Sequence, residues 1–254
     1  MAQTTLDPAP LDSAIRSPED AGNTRAEAPT ATGLRLPVWA WLALWMGFWV
    51  GGSVGVHFGI HGVVNGWQVA LAFFLAINLL ICVWEISLYY RIGDIERWFH
   101  RPGDGEPRPK GNLYTQPVTL RELASTQRWA LVWYGYAHYD PSYADRKSFG
   151  FAIDVGNGFT TLLPSLFFLF AMTVPMASPA VVGIVGLLVF YQKFYGTCLY
   201  FFTYFKNRRY EGHRLPPLLA MVGGTNGTWL VFPAIGLYVC LRLILENRFD
   251  VIWN

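Results

Sequence analysis

The feature that most narrows what this chain can fold into is a series of five apolar stretches, at roughly 36–58, 68–91, 149–175, 178–204 and 217–244. Each is long enough to cross a bilayer as a helix, for which about 20 predominantly apolar residues suffice. Inside lipid the backbone must satisfy its own polar groups, and uninterrupted runs of this length do so as helices. The second stretch, QVALAFFLAINLLICVWEISLYY, is the least interrupted, whereas the last two contain glycines and a proline that neighbouring helices can accommodate. The expected fold is all-α: a polytopic membrane protein whose residues 35–254 form a five-transmembrane-helix bundle. Composition agrees, since 53% hydrophobic and 14% charged residues give an apolar excess that has to face lipid.

Residues 1–34 are rich in Ala, Pro, Thr, Asp and Glu, contain no large aromatic, and read as a disordered tail. They lack the basic start and immediate short apolar run of a secretory signal. The net charge of +2, without any Lys/Arg-rich run, argues against a nucleic-acid partner. Cys82, Cys198 and Cys240 all fall in apolar stretches and show no metal-ligand spacing, so they read as small core residues. Basic residues gather in the tail, in the long second loop and before the last span. The positive-inside rule therefore places the N-terminus in the cytoplasm and the C-terminus across the membrane. That membrane is the endoplasmic reticulum in a eukaryote and the cytoplasmic membrane in a bacterium. Within the second loop, HRPGDGEPRPKGN is a Pro/Gly linker. It is followed by Thr119 and Glu122 at capping-box spacing, then by a rough stripe of Leu120, Leu123, Ala124, Ala130, Leu131 and Tyr134. This predicts an amphipathic helix along the membrane surface.

Charged side chains at membrane depth cost at least a few kcal/mol, so each asks for a partner or a role. On the second span Asn78, Cys82, Glu85 and Tyr89 share a face. Asp154, Asn157 and Thr161 do so on the third, and Lys193, Thr197 and Tyr200 on the fourth; the fifth offers Asn226, Trp229 and Pro233. Depth estimates at ~1.5 Å per residue put the acids and amides in the cytoplasmic half or near the middle, which suggests one polar pocket opening to the inner leaflet. Asn78, Asn157 and Thr161 are also of the kind that tie membrane helices together. A buried Lys–Glu or Lys–Asp pair can be structural, although intramembrane ionisable groups default to functional candidates. His57 and His61 are four apart but have no evident third ligand, so the reading is interfacial and no metal is expected. The aromatic-rich fourth span, with Tyr195 and Tyr200, either faces lipid as bulk or lines a ligand pocket.

Four segments resemble the emopamil-binding (EXPERA) family of sterol isomerases. TNGTWLVFP (225–233) is similar to that family's Asn-x-x-Trp-Leu-Val-x-Pro, and YGTCLYFFT (195–203) to its Tyr-Gly-x-x-Leu-Tyr-Phe. YAHYDPSY (136–143) is similar to its Tyr-Ala-x-x-Asp-x-x-Tyr, and Glu85 in VWEISLYY sits where the family has its second-helix glutamate. The resemblance covers roughly 68–245. It departs at Ile81, where the isomerases carry histidine, at Asp154 in place of glutamate, and at Lys193 in place of glutamine.

The resemblance implies an intramolecular isomerase that moves a ring double bond in a sterol or related polycyclic isoprenoid through a carbocation, with no cofactor. Glu85 and Asp154 would transfer protons, Asn226 would position Glu85 or its proton, and Trp229 would face the cation. Asn78, Tyr89, Lys193, Tyr195 and Tyr200 are candidates for ligand contact. Cationic amphiphiles should bind as mimics of the intermediate. The same chemistry suits membrane-bound terpene cyclases of meroterpenoid pathways, which place a Trp–Glu pair like Trp84–Glu85 in an early helix. A non-catalytic lipid-binding protein also remains open, and so does the oligomeric state, a homodimer included.

Overall fold

The computed structural model describes residues 33–101 and 112–254. All but the end of the expected N-terminal tail, and positions 102–111 of the Pro/Gly linker, lie outside them.

The chain is an all-α membrane protein with five helices long and apolar enough to cross a bilayer. They are α1 (Val38–His61), α2 (Gly66–His100), α5 (Phe149–Ala171), α6 (Pro179–Lys206) and α7 (Leu215–Glu246). Between α2 and α5 lie α3 (Leu120–Leu123) and α4 (Thr126–Ala137), and α8 (Asp250–Trp253) closes the chain. The strands β1 (Leu36–Pro37) and β2 (Pro117–Val118) pair antiparallel, with Leu36 opposite Val118, and strap the second loop to the start of α1.

Local chemistry sets the helix ends. The Asn65 side chain accepts from the backbone N–H groups of Trp67 and Gln68 at 2.8 and 3.1 Å, satisfying orphan donors of α2. Ser148 caps α5 through Phe151 N–H at 3.1 Å, and Ser178 with Pro179 opens α6. Helix α2 outruns its apolar stretch: 35 residues make ~52 Å, well beyond a hydrocarbon core of ~30 Å. Hydropathy falls after Tyr90, but helical periodicity does not, because Leu88, Ile92, Ile95 and Trp98 continue the buried stripe.

The predicted loop helix is broken at Ala124–Ser125. Its first turn, α3, carries the expected capping box, with Glu122 N–H on Thr119 Oγ1 at 3.2 Å and Thr119 N–H on Glu122 Oε2 at 2.7 Å. That backbone bond, first among its partners, holds the Glu122 carboxyl below its ordinary range. The second piece, α4, buries Trp129, Ala130, Trp133 and Ala137, of which only Ala130 belongs to the expected stripe. Its tryptophans dock it on α2: Trp129 stacks on Trp84 at 4.9 Å, and Trp133 Nε1 donates to the Trp84 carbonyl at 2.8 Å. The helix is therefore a wall of the bundle.

The two larger of three hydrophobic clusters among the described residues hold the bundle. One joins Leu71, Phe74, Phe168, Phe190 and Val239; the other joins Leu88, Ile95, Trp98, Trp133, Tyr143 and Tyr200. Along α2, Cys82 and Glu85 fall between them. Helices α6 and α7 approach closely at glycines. A Cβ on Gly183 would lie 2.8 Å from the Cys240 carbonyl, and one on Gly236 2.4 Å from the Phe190 ring.

Candidate functional site

At Gly158, α5 comes so close to α2 that a Cβ would meet Glu85 Cβ at 2.8 Å and the Cys82 carbonyl at 3.1 Å. This contact presses the Glu85 side chain toward the bundle interior, where Lys193 of α6 meets it. Lys193 Nζ lies 3.4 Å from both carboxylate oxygens, and the two side chains are 0% and 3% exposed.

Next to this ion pair is a cavity of about 170 Å³. Glu85, Asp154, Tyr200, Asn226 and Trp229 all line it, so five candidates from four different helices converge. Much of the remaining wall is aromatic, from Trp84, Tyr114, Trp133, Tyr136 and Tyr143. Tyr114 and Thr225 are its exposed lining residues and mark its mouth, between the second loop and α7. Trp229 is held edge-on to Phe74 at 5.9 Å. The Tyr143 phenol lies beside the Asp154 carboxyl.

Four candidates sit elsewhere. Lys193 stands behind Glu85 and does not line the cavity. Asn78 is fully buried and donates to Ser165 Oγ at 3.0 Å, one rung of an α2–α5 ladder that continues with Cys82 and Thr161 at 3.4 Å. Asn157, which lines the cavity, also ties α5 to α6 through Gln192 Nε2 at 2.9 Å. Tyr89 is 50% exposed, because the buried stripe steps from Glu85 to Leu88 and Ile92 and so rotates Tyr89 outward against Phe159. Tyr195 is 49% exposed, stacked on Tyr191, while Lys193, Gly196 and Thr197 take the inner face of α6.

Among the described residues no hydrogen bond joins Asn226 to Glu85, although both line the cavity. Asn226 Nδ2 donates to the Tyr136 hydroxyl at 2.7 Å and to the Val222 carbonyl at 2.9 Å. A π-helical stretch, Leu219–Gly224, lies immediately before it, and three side chains there bond carbonyls one turn back: Asn226 to Val222, Thr225 to Met221 and Thr228 to Gly224.

The Tyr136 bond opens a network that the hydropathy reading did not find. Tyr136 and Tyr200 hydroxyls lie 3.1 Å apart, and the Asp140 carboxylate lies near the Tyr200 hydroxyl. Fully buried Asp140 accepts from Arg209 at 3.0 and 3.3 Å and from Ser142 N–H at 3.0 Å. Burial pushes the Tyr136 phenol up to about 12 and the Tyr143 phenol well above its usual range, so both stay neutral donors. The signal was present in YAHYDPSY, which supplies Tyr136 and Asp140 to this network and packs the Tyr143 ring against Tyr136 at 5.0 Å.

His57 and His61 turn toward Thr173, and His61 stacks on Trp253 at 4.4 Å. Among the described residues no cluster of three His, Cys, Asp or Glu could hold a metal. No family model matches the chain, and no curated protein matches it.

Proposed function

We propose that this protein is a membrane-embedded proton-transfer enzyme that shifts a double bond in a sterol or related polycyclic isoprenoid. The observation that carries the reading is that two carboxyl groups, Glu85 and Asp154, line one aromatic cavity between membrane helices. Their partners differ. Glu85 is paired with an ammonium group, which keeps it ionised and suits it to the role of acceptor, and this leaves Asp154, which has no ion pair among the described residues, as the donor. Protonation of one alkene carbon by Asp154 leaves a cation, and loss of a proton from a neighbouring carbon to Glu85 restores the double bond one position along. Trp229 and Trp84 offer aromatic faces to the cation between the two steps.

The four-segment resemblance to the emopamil-binding family supports the same reading, as does the accord between those segments and the cavity wall. Cationic amphiphiles fit the site as mimics of the intermediate, and the N-terminus is assigned to the cytoplasm. The cyclase reading shares this acid chemistry and differs in the fate of the cation. Binding without catalysis draws support from the Lys193–Glu85 pair, which leaves one carboxylate fully occupied.

Purified protein incubated in heavy water with a sterol carrying a ring double bond should yield a shifted product containing deuterium. Glu85→Gln and Asp154→Asn should each lower the rate by about 10²–10⁴-fold, since an amide keeps the shape but cannot exchange the proton. Near wild-type turnover by either variant removes that residue from the mechanism. An unchanged lipid, bound and recovered, turns the reading to binding alone.

A further inference from the structure

The amide of Asn226 has two N–H donors and one carbonyl oxygen. Both donors are committed, one to the Tyr136 hydroxyl at 2.7 Å and one to the Val222 carbonyl at 2.9 Å, with Thr225 Oγ1 at 3.4 Å beside them. The Val222 carbonyl can only accept, so it fixes which end of the amide is nitrogen. The oxygen Oδ1 then points away from these partners and has none among the described residues. Asn226 lines the cavity next to its mouth at Thr225, on a partly aromatic wall.

The chain behind Asn226 has a direction. Because Asn226 donates to Tyr136, the Tyr136 hydroxyl is free to donate to Tyr200, whose own hydroxyl lies near the Asp140 carboxylate. Both bonds run toward one buried anion, itself held by Arg209. Hydrogen bonds aligned in this way polarise one another, and an amide that donates through its nitrogen gains acceptor strength at its oxygen. We propose that Asn226 Oδ1 is a recognition point for a hydroxyl group on the ligand, with Tyr136, Tyr200 and Asp140 as positioning residues. The ligand is thereby an elongated apolar alcohol, in preference to its ether or ketone. The inference rests on reading the cavity as a ligand site, and it adds the polar end of the ligand to that reading.

The test compares ligands that differ only in the donor. Cholestanol, its methyl ether and the corresponding ketone are titrated against the detergent-purified full chain, alongside farnesol and its methyl ether as a linear pair. The alcohol of at least one pair should bind about fivefold tighter than its ether, the scale of one neutral hydrogen bond. Asn226→Leu should bring the alcohol down to the ether's affinity and leave the ether unchanged. Tyr136→Phe should reduce the alcohol-to-ether ratio in part, an effect a merely structural contact would not produce because both ligands report on the same folded protein. Equal affinities in both pairs, or no binding by either, overturn the proposal. Deuterium incorporation on the same samples separates it from the proton-transfer reading: selectivity without turnover keeps the subsite and removes the chemistry, and turnover without selectivity does the reverse.

Discussion

The Lys193–Glu85 pair costs desolvation on both sides, and neither side chain reaches water. In such surroundings the attraction between partners offsets the burial penalty only while both are present. Lys193→Met should therefore destabilise the protein by about 3–5 kcal/mol, because it strands a carboxylate among apolar helices. Adding Glu85→Gln to that variant should recover most of the loss, which thermal unfolding in one detergent can measure across the four members of the cycle. A double variant as unstable as Lys193→Met would show that the lysine stem, and not the charge pair, supports the bundle. The pair was legible in the sequence as a Lys–Glu or Lys–Asp pair at membrane depth, but which acid Lys193 meets was not. Helical spacing assigns a face to each residue, whereas which faces meet is decided by the glycine that lets α5 reach Glu85.

At the level of elements, close helix approach has two different consequences in this bundle. Gly236 receives the Phe190 ring outside the cavity lining, whereas Gly158 receives Glu85 itself. Gly236→Ala should cost stability by about 1–3 kcal/mol through overpacking, with turnover per folded molecule preserved. Gly158→Ala should cost activity beyond its stability loss, because separating α2 from α5 moves Glu85 relative to Asp154. Thermal melts and initial rates measured on both variants decide this, and an equal activity loss in the two would remove the special status of Gly158. The spans themselves were readable to within a few residues, since apolar length dictates where a membrane helix forms. Two features were not. The extension of α2 past Tyr90 follows from packing with α4, and the inward face of α4 follows from tryptophans that hydropathy ranks no higher than the leucines of the expected stripe. Tyr89 and Tyr195 share a limit of another kind: a one-residue rotation of the buried stripe puts a side chain on lipid.

Across the whole molecule, contacts sort into two ends. Arg35 with Glu122, Arg146 with Glu96 and Arg209 with Asp140 gather at one, and His61 with Trp253, Asn65 with Val251 and Ala180 with Asn247 at the other. The candidate cavity takes its polar network from the first end, through a loop segment, YAHYDPSY, that apolar-span analysis passes over and only motif comparison flags. Its basic residues are what the positive-inside rule counts, so the same end is assigned to the cytoplasm. An odd number of crossings then requires the C-terminal Arg248 to emerge on the opposite side. Single cysteines test this: Arg121→Cys and Arg248→Cys, both at exposed positions, each in a background where the exposed Cys198 is replaced by serine. An impermeant maleimide applied to sealed cells or right-side-out vesicles should label Arg248→Cys at once and Arg121→Cys only after the membrane is opened. The reverse order would invert the orientation and keep five crossings. Labelling of both sites before opening would break the odd count, and with it the placement of the arginine-rich end, the cavity mouth and the Asp140–Arg209 anchor on a single cytoplasmic face.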